Sequence, residues 1–371
     1  MKLEKEDALY CANLLHDYFS NFDRIDEYMR SQKMIQIDAL PTTLPGCGLE
    51  EDLFSDFTMH PKDMDIELME MDSSRWDDYI RVISSHVTPS SIPGRSVKFA
   101  VNEKNSNKIL GFIRLGSPVI NMKPRNELLQ QVFSQTPGFA KSFNNTTIMG
   151  FTIVPAQPFG YNYLGGKLLA AICCSHTIRE VLNKKYNMNL CLFETTSLYG
   201  SSKTVSQYDG MKPYIRFRGL TDSNFIPMMD GDSYRKMKEY IESKTGEDLV
   251  DPEGSSKKLK ATMKTISMVK MALKGTPELA KFNEMIDNAK KLTEKKRYYT
   301  SNYGFKNYVD VVNGKADVLI KDENYDKFEF DNIIAWWKNK ASNRFETLQR
   351  EGRIRTDLEV WTNGANIDII R

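Results

Sequence analysis

The residues best placed to do chemistry lie between Ile148 and Leu169. An apolar run, Ile148-Met149-Gly150-Phe151-Thr152-Ile153-Val154, stops at Pro155 and opens into a loop holding Gly160, Gly165 and Gly166, with Lys167 directly behind them. A helix starting there presents unpaired backbone N–H groups, and its dipole favours an anion. Glycines let backbone approach a ligand closely, and the lysine adds positive charge, so a pyrophosphate suits this loop. The same glycines would also cap a helix and seat it tightly on a sheet. Spacing alone leaves both readings open.

The elements around the loop follow from hydrophobic period and turn signals. Residues 5–30 carry Leu9, Leu14, Leu15, Tyr18, Phe22, Ile25 and Met29 at helical spacing. A connection rich in Pro, Gly, Asp and Thr spans 38–62. Strands are predicted at 65–71, 97–101, 109–115, 146–154, 190–193 and 214–218, and the second and third form a hairpin about Asn105-Ser106-Asn107. Helices are predicted after an N-cap at Ser73-Ser74 and over 164–185, and a loop or short helix at 208–213. This alternation predicts an α/β fold, a mixed central sheet flanked by helices. It divides the chain into an N-terminal helix and connection (1–62), the α/β domain (63–220) and a mostly helical basic extension (221–371). Within the extension, 251–300 and 331–351 are expected to be helical.

The order of elements about this loop resembles the GCN5-related N-acetyltransferase fold, in which a Q/R-x-x-G-x-G/A loop holds the coenzyme A pyrophosphate. Gln157 and Gly160 match its first two fixed positions, Asn162 stands where Gly or Ala is expected, and the glycine pair follows at Gly165 and Gly166. Pro124-Arg125-Asn126, Asn144-Asn145, Ile153-Val154-Pro155, Leu168-Leu169 and Phe193-Glu194-Thr195 resemble, in that order, the DruA-type domain of Druantia anti-phage systems. The Mom-type phage DNA-modification proteins are a more distant comparison. The resemblance implies acetyl-CoA or another acyl-CoA held by Ile153, Val154, Gln157, Gly160, Asn162, Gly165, Gly166 and Lys167. It implies Glu194 as general base and Tyr199, with Tyr208 beside it, as proton donor to the leaving thiolate. Arg114, Ser117 and Arg125 would border the acceptor. Each has a plainer reading: a structural hydrogen bond for Glu194, packed rings for the tyrosines, a solvated arginine for Arg114.

Composition narrows the partners. With 40% hydrophobic and 27% charged residues and a net charge of +2, the 371-residue chain has no global field to attract nucleic acid. No apolar run approaches the ~18 residues of a membrane span, so a cytoplasmic protein without a membrane partner is expected. Five cysteines show no zinc spacing, Cys173 and Cys174 read as buried thiols, and His16, His60, His86 and His176 are scattered, so no metal is expected. Basic character is local: Lys257, Lys258, Lys260, Lys264, Lys270 and Lys274, then Arg344, Arg350, Arg353 and Arg355 after Trp336-Trp337. These basic C-terminal helices point to nucleic acid, DNA in particular. Two functions compete: an acyl or related group transferase acting on nucleic acid, and a catalytically silent nucleic-acid-binding or virion-associated protein. An open groove beside Gly165 would favour the first; a loop filled by Phe159 or Tyr161 would favour the second.

Overall fold

The computed structural model describes the chain except residues 86–93, 132–137, 198–205, 222–227, 254–256, 293–294, 364, 366 and 368–371. The first part runs α1 (Lys5–Phe19), α2 (Ile25–Asp38), α3 (Leu49–Asp52), β1 (Ile66–Glu70), α4 (Ser73–Ile83), β2 (Ser96–Glu103), β3 (Lys108–Gly116), α5 (Lys123–Leu129), α6 (Phe139–Thr146) and β4 (Thr147–Pro155). It continues with α7 (Phe159–Tyr163), α8 (Gly165–Ile172), α9 (His176–Tyr186), β5 (Leu192–Thr196), β6 (Arg216–Leu220), α10 (Gly231–Thr245), α11 (Lys257–Ala272) and α12 (Pro277–Lys291). Last come β7 (Arg297–Ser301), α13 (Tyr308–Val312) and α14 (Phe330–Arg350).

The strands form a mixed sheet in the order β1-β2-β3-β4-β5-β7-β6. Only β4 and β5 pair in parallel, from Thr147↔Leu192 to Gly150↔Thr195; the other pairings are antiparallel. The expected α/β sheet flanked by helices is therefore present. The β2–β3 hairpin turns where expected, held by the buried carboxylate of Glu103, which accepts from the Asp65, Asn105 and Ser106 amides at 3.1, 3.3 and 2.7 Å. Alternate residues of the two strands enter different cores, as pleat geometry requires. Val97, Phe99, Val101, Ile113 and Leu115 pack with Leu168, Leu169, Trp337 and Phe345, while Ala100 and Phe112 pack with Trp76, Tyr79 and Ile80 of α4.

Several expectations are corrected. The first helix breaks between Phe19 and Ile25. Asp72, not Ser73, caps α4, accepting from the Ser74 and Arg75 amides at 2.8 and 3.3 Å. The long helix expected over 164–185 is two pieces, α8 and α9, because Ser175 caps α9 through the Ile178 amide at 3.2 Å; Leu164, in a left-handed conformation (φ 55°), sets α8 off from α7. The largest difference is β7. It lies where a helix was expected, yet sits inside the sheet, bonded to β5 on one side and β6 on the other. Aromatic and β-branched Tyr298, Tyr299 and Thr300 favour a strand; the lysines before them disguised the change of period.

The N-terminal helix meets the C-terminal region. Leu15 and Phe19 of α1 share a second core with Met237, Ile241, Ile266, Val269, Phe282 and Ile286 from α10, α11 and α12. Met263 and Met271 stand at 42% and 62% exposure on the outer face of α11.

Candidate functional site

β4 delivers the glycine loop as expected, but the loop folds into helical turns that use its polar groups internally. Gly160 N donates to Ala156 O at 2.8 Å, Tyr161 N to Gln157 Oε1 at 3.1 Å and Asn162 N to Pro158 O at 2.9 Å. Lys167 Nζ is committed to the carbonyls of Gln207 and Asp209, at 2.9 and 2.5 Å, and burial lowers its pKa. A Cβ on Gly165 would lie 2.7 Å from the Phe159 ring, one on Gly160 2.4 Å from Gln157 Nε2, and one on Gly166 2.3 Å from Gln207 Oε1. These glycines are small because side chains crowd them. Phe159 is fully buried, stacked on Tyr163 at 5.2 Å and close to Trp337 at 6.1 Å. Ile153 and Val154 pair with Ile113 and Phe112 of β3. As folded, this loop does not fit a coenzyme A pyrophosphate: the Gly160, Tyr161 and Asn162 amides and the lysine are already bonded.

Glu194 on β5 and Arg125 on α5, assigned separately to catalysis and to acceptor binding, meet directly. Arg125 Nη1 donates to Glu194 Oε1 at 3.0 Å, and both side chains are fully buried. The second carboxylate oxygen accepts from the Tyr298 hydroxyl at 2.8 Å. Arg125 also donates to the Val119 and Ile120 carbonyls, at 2.8 and 2.6 Å, and its guanidinium lies 4.5 Å from the Phe143 ring centroid. Burial pushes the Glu194 pKa up, opposed by Arg125 and Tyr298, and burial followed by the Glu194 charge pushes Tyr298 well above the usual tyrosine range. Both oxygens are occupied and no solvent reaches them, so the geometry is that of a structural ion pair. Sequence reasoning missed Tyr298, whose only signal was the short Tyr-Tyr-Thr run.

The remaining expected residues are dispersed. Arg114 on β3 is buried with Nε donating to Ser96 Oγ at 3.3 Å, and Ser117 Oγ accepts from the Arg95 amide at 3.0 Å. Tyr208 packs its ring 5.3 Å from that of Tyr299, and burial raises its pKa. Tyr199 lies outside the described residues. Among the described residues, no three histidines, cysteines or carboxylates are grouped to hold a metal, and no helix is long and apolar enough to cross a membrane. Cys173 and Cys174 are buried free thiols.

Basic groups gather in two places. On α11, Lys257, Lys260 and Lys264 are exposed beside Met263, while Lys258 pairs with Asp230. The second group surrounds Tyr161. The Arg344 and Arg355 guanidiniums lie 4.7 and 4.0 Å from its ring centroid, and Arg353 Nη2 donates to its hydroxyl at 3.1 Å. Asn162, expected at the cofactor, is fully buried and grips the backbone of Arg355 instead: Nδ2 donates to Arg355 O at 2.7 Å and Oδ1 accepts from Arg355 N at 3.1 Å.

The fold and this site define an α/β protein with a mixed sheet and basic clusters on α11 and around Tyr161. Residues 54–210 match the family model of Druantia protein DruA. A Druantia protein DruA from Escherichia coli (strain UMEA 4076-1) is 28% identical over 167 residues, which is 39% of this chain and 40% of that protein. The chain thus spans well under half the length of that relative. The matched segment holds β1 to β5 and the glycine loop and ends before β6 and β7. No solved structure matches the chain.

Proposed function

We propose that this chain is a cytoplasmic nucleic-acid-binding component of an anti-phage defence system, with an acetyltransferase-like sheet as its scaffold. The DruA match over 54–210 supports the defence context. One observation favours binding over group transfer: Phe159 is fully buried against Gly165, in the place a cofactor would need. The exposed lysines of α11 and the arginines around Tyr161 supply the positive surface that phosphate contacts require.

A second reading, acyl or related group transfer to DNA from acetyl-CoA or another acyl-CoA, as in the Mom-type comparison, draws on β4. From Thr152 to Pro155 its described ladder partners lie on β3, and β5 pairs it no further than Gly150. That reading requires Phe159 to leave its seat and Glu194 to leave Arg125. Thermal melting of the full chain with CoA, acetyl-CoA or a short DNA duplex separates the two, since a ligand that binds only the folded state raises Tm. The duplex at low salt is expected to raise Tm and the CoA species to leave it unchanged. A rise with CoA species alone would replace the binding reading with the transferase.

A further inference from the structure

We infer that Arg344, Arg353 and Arg355, organised by Tyr161, form a binding site for a phosphate group. This deepens the nucleic-acid reading, and a free phosphate compound offers the same chemistry.

Two segments far apart in sequence build the site: α7 gives Tyr161, and the end of α14 with the chain directly after it gives Arg344, Arg353 and Arg355. That last segment is not loose. Besides the two bonds from buried Asn162, the Glu359 amide donates to Gln157 O at 3.0 Å and the Trp361 amide to Val82 O at 2.7 Å, with the Trp361 ring 2% exposed. The backbone carrying the two arginines is therefore fixed on both sides of Arg355. Stacking on the tyrosine fixes the guanidiniums in turn, because the ring face attracts cations. Three positive groups are thus held about one ring against like-charge repulsion.

Among the described residues, two carboxylates pair with them, Glu351 with Arg353 at 2.7 Å and Glu359 with Arg355 at 3.2 Å. Each of those pairs uses one terminal nitrogen, whereas a guanidinium carries five N–H donors in a rigid fork. Among the described residues, Arg344 spends only Nε on a hydrogen bond, to the Tyr161 carbonyl at 3.4 Å. What remains is one uncompensated positive charge and several N–H donors, in the planar geometry that phosphate oxygens accept bidentately. The loop expected to take phosphate on its amides would meet it through the Tyr161 side chain and its arginines.

The test uses the full-length chain, a short fluorescent DNA duplex titrated across salt concentrations, and inorganic pyrophosphate as a competitor. The Arg344→Ala/Arg355→Ala variant is compared with Lys257→Ala/Lys260→Ala on α11. A second arginine variant, Arg344→Lys/Arg355→Lys, keeps the charge should the alanine variant fail to fold. For a site holding one phosphate, the alanine pair is expected to weaken duplex binding at least about tenfold at low salt. It should also make the slope of log K against log salt shallower by about 1. The lysine pair should lose affinity while keeping most of the slope. A folded arginine variant with wild-type affinity and slope overturns the site and leaves the nucleic-acid reading standing, most directly if the α11 variant is the one that loses binding. Pyrophosphate binding without duplex binding, lost in the arginine variants, keeps the site and removes the nucleic-acid reading. Binding of neither probe by the wild type overturns both.

Discussion

At the residue scale, the fully buried pair of Arg125 and Glu194 governs what substitutions there will do. Removing one charge strands the other in a low-dielectric interior, which costs about 3–5 kcal/mol, while replacing both by apolar groups of similar volume is often tolerated. Glu194→Gln should therefore lower the unfolding free energy measured in urea by an amount in that range, and Arg125→Met/Glu194→Leu should cost less than either single change. A Glu194→Gln protein as stable as wild type would reject the buried-pair account. Lys33 gives a pH-dependent case. Burial of its side chain on α2 pushes its pKa from 10.5 to about 7. Between those values the unfolded chain holds a proton that the folded chain lacks, so stability rises with pH across that window, and the full penalty applies below it. Compared with Lys33→Met, wild-type stability should climb by roughly 2 kcal/mol from about pH 7 to pH 9. Denaturation series at the two pH values would show a constant difference if Lys33 stays protonated.

At the element scale, the glycine loop shows how one pattern serves either ligand or packing. A strand ending at Pro155 and a helix beginning at Gly165 were legible from hydrophobic run and glycine spacing. Whether backbone amides face a ligand depends on what fills the space beside them, and here Phe159, Gln157 and Gln207 fill it. Gly165→Ala should therefore lower stability by about 1–3 kcal/mol in thermal or urea unfolding, as overpacking does. An unchanged melting curve would mean the space beside Gly165 is open. β7 makes the complementary point. Five residues are too short for periodicity to separate a strand from the end of a lysine-rich helix, so its pairing with β5 and β6 was settled by long-range contacts.

At the scale of the whole molecule, the sheet and its helices are assembled from distant segments. β7 supplies the Tyr298 hydroxyl to Glu194, and α14 donates from Trp337 Nε1 to Tyr163 O at 2.8 Å beneath the glycine loop. A fragment limited to 63–220 would lack both, leaving the far edge of β5 unpaired. It is expected to show no cooperative melt and weak near-ultraviolet circular dichroism, in contrast to the full chain. A fragment that melts cooperatively would show that β7 and α14 are accessories.

Local pattern determined much by itself. The β2–β3 hairpin, the apolar β4 and the 21-residue α14 followed from alternation, turn residues and helical period, since each signal lies within a few residues of what it specifies. The resemblance to the DruA-type domain was likewise readable, because it rests on residue order. Tertiary structure alone decided the use of the chemical groups. Glu194 and Arg125 became one ion pair because α5 packs on β6 and carries the Arg125 side chain to β5, and Asn162 became a clamp because the chain after α14 returns to it. Arg344, Arg353 and Arg355 became a cluster because Tyr161 lies beneath them. Residue type limits the bonds a side chain can make, but the partner that completes them arrives from far along the chain.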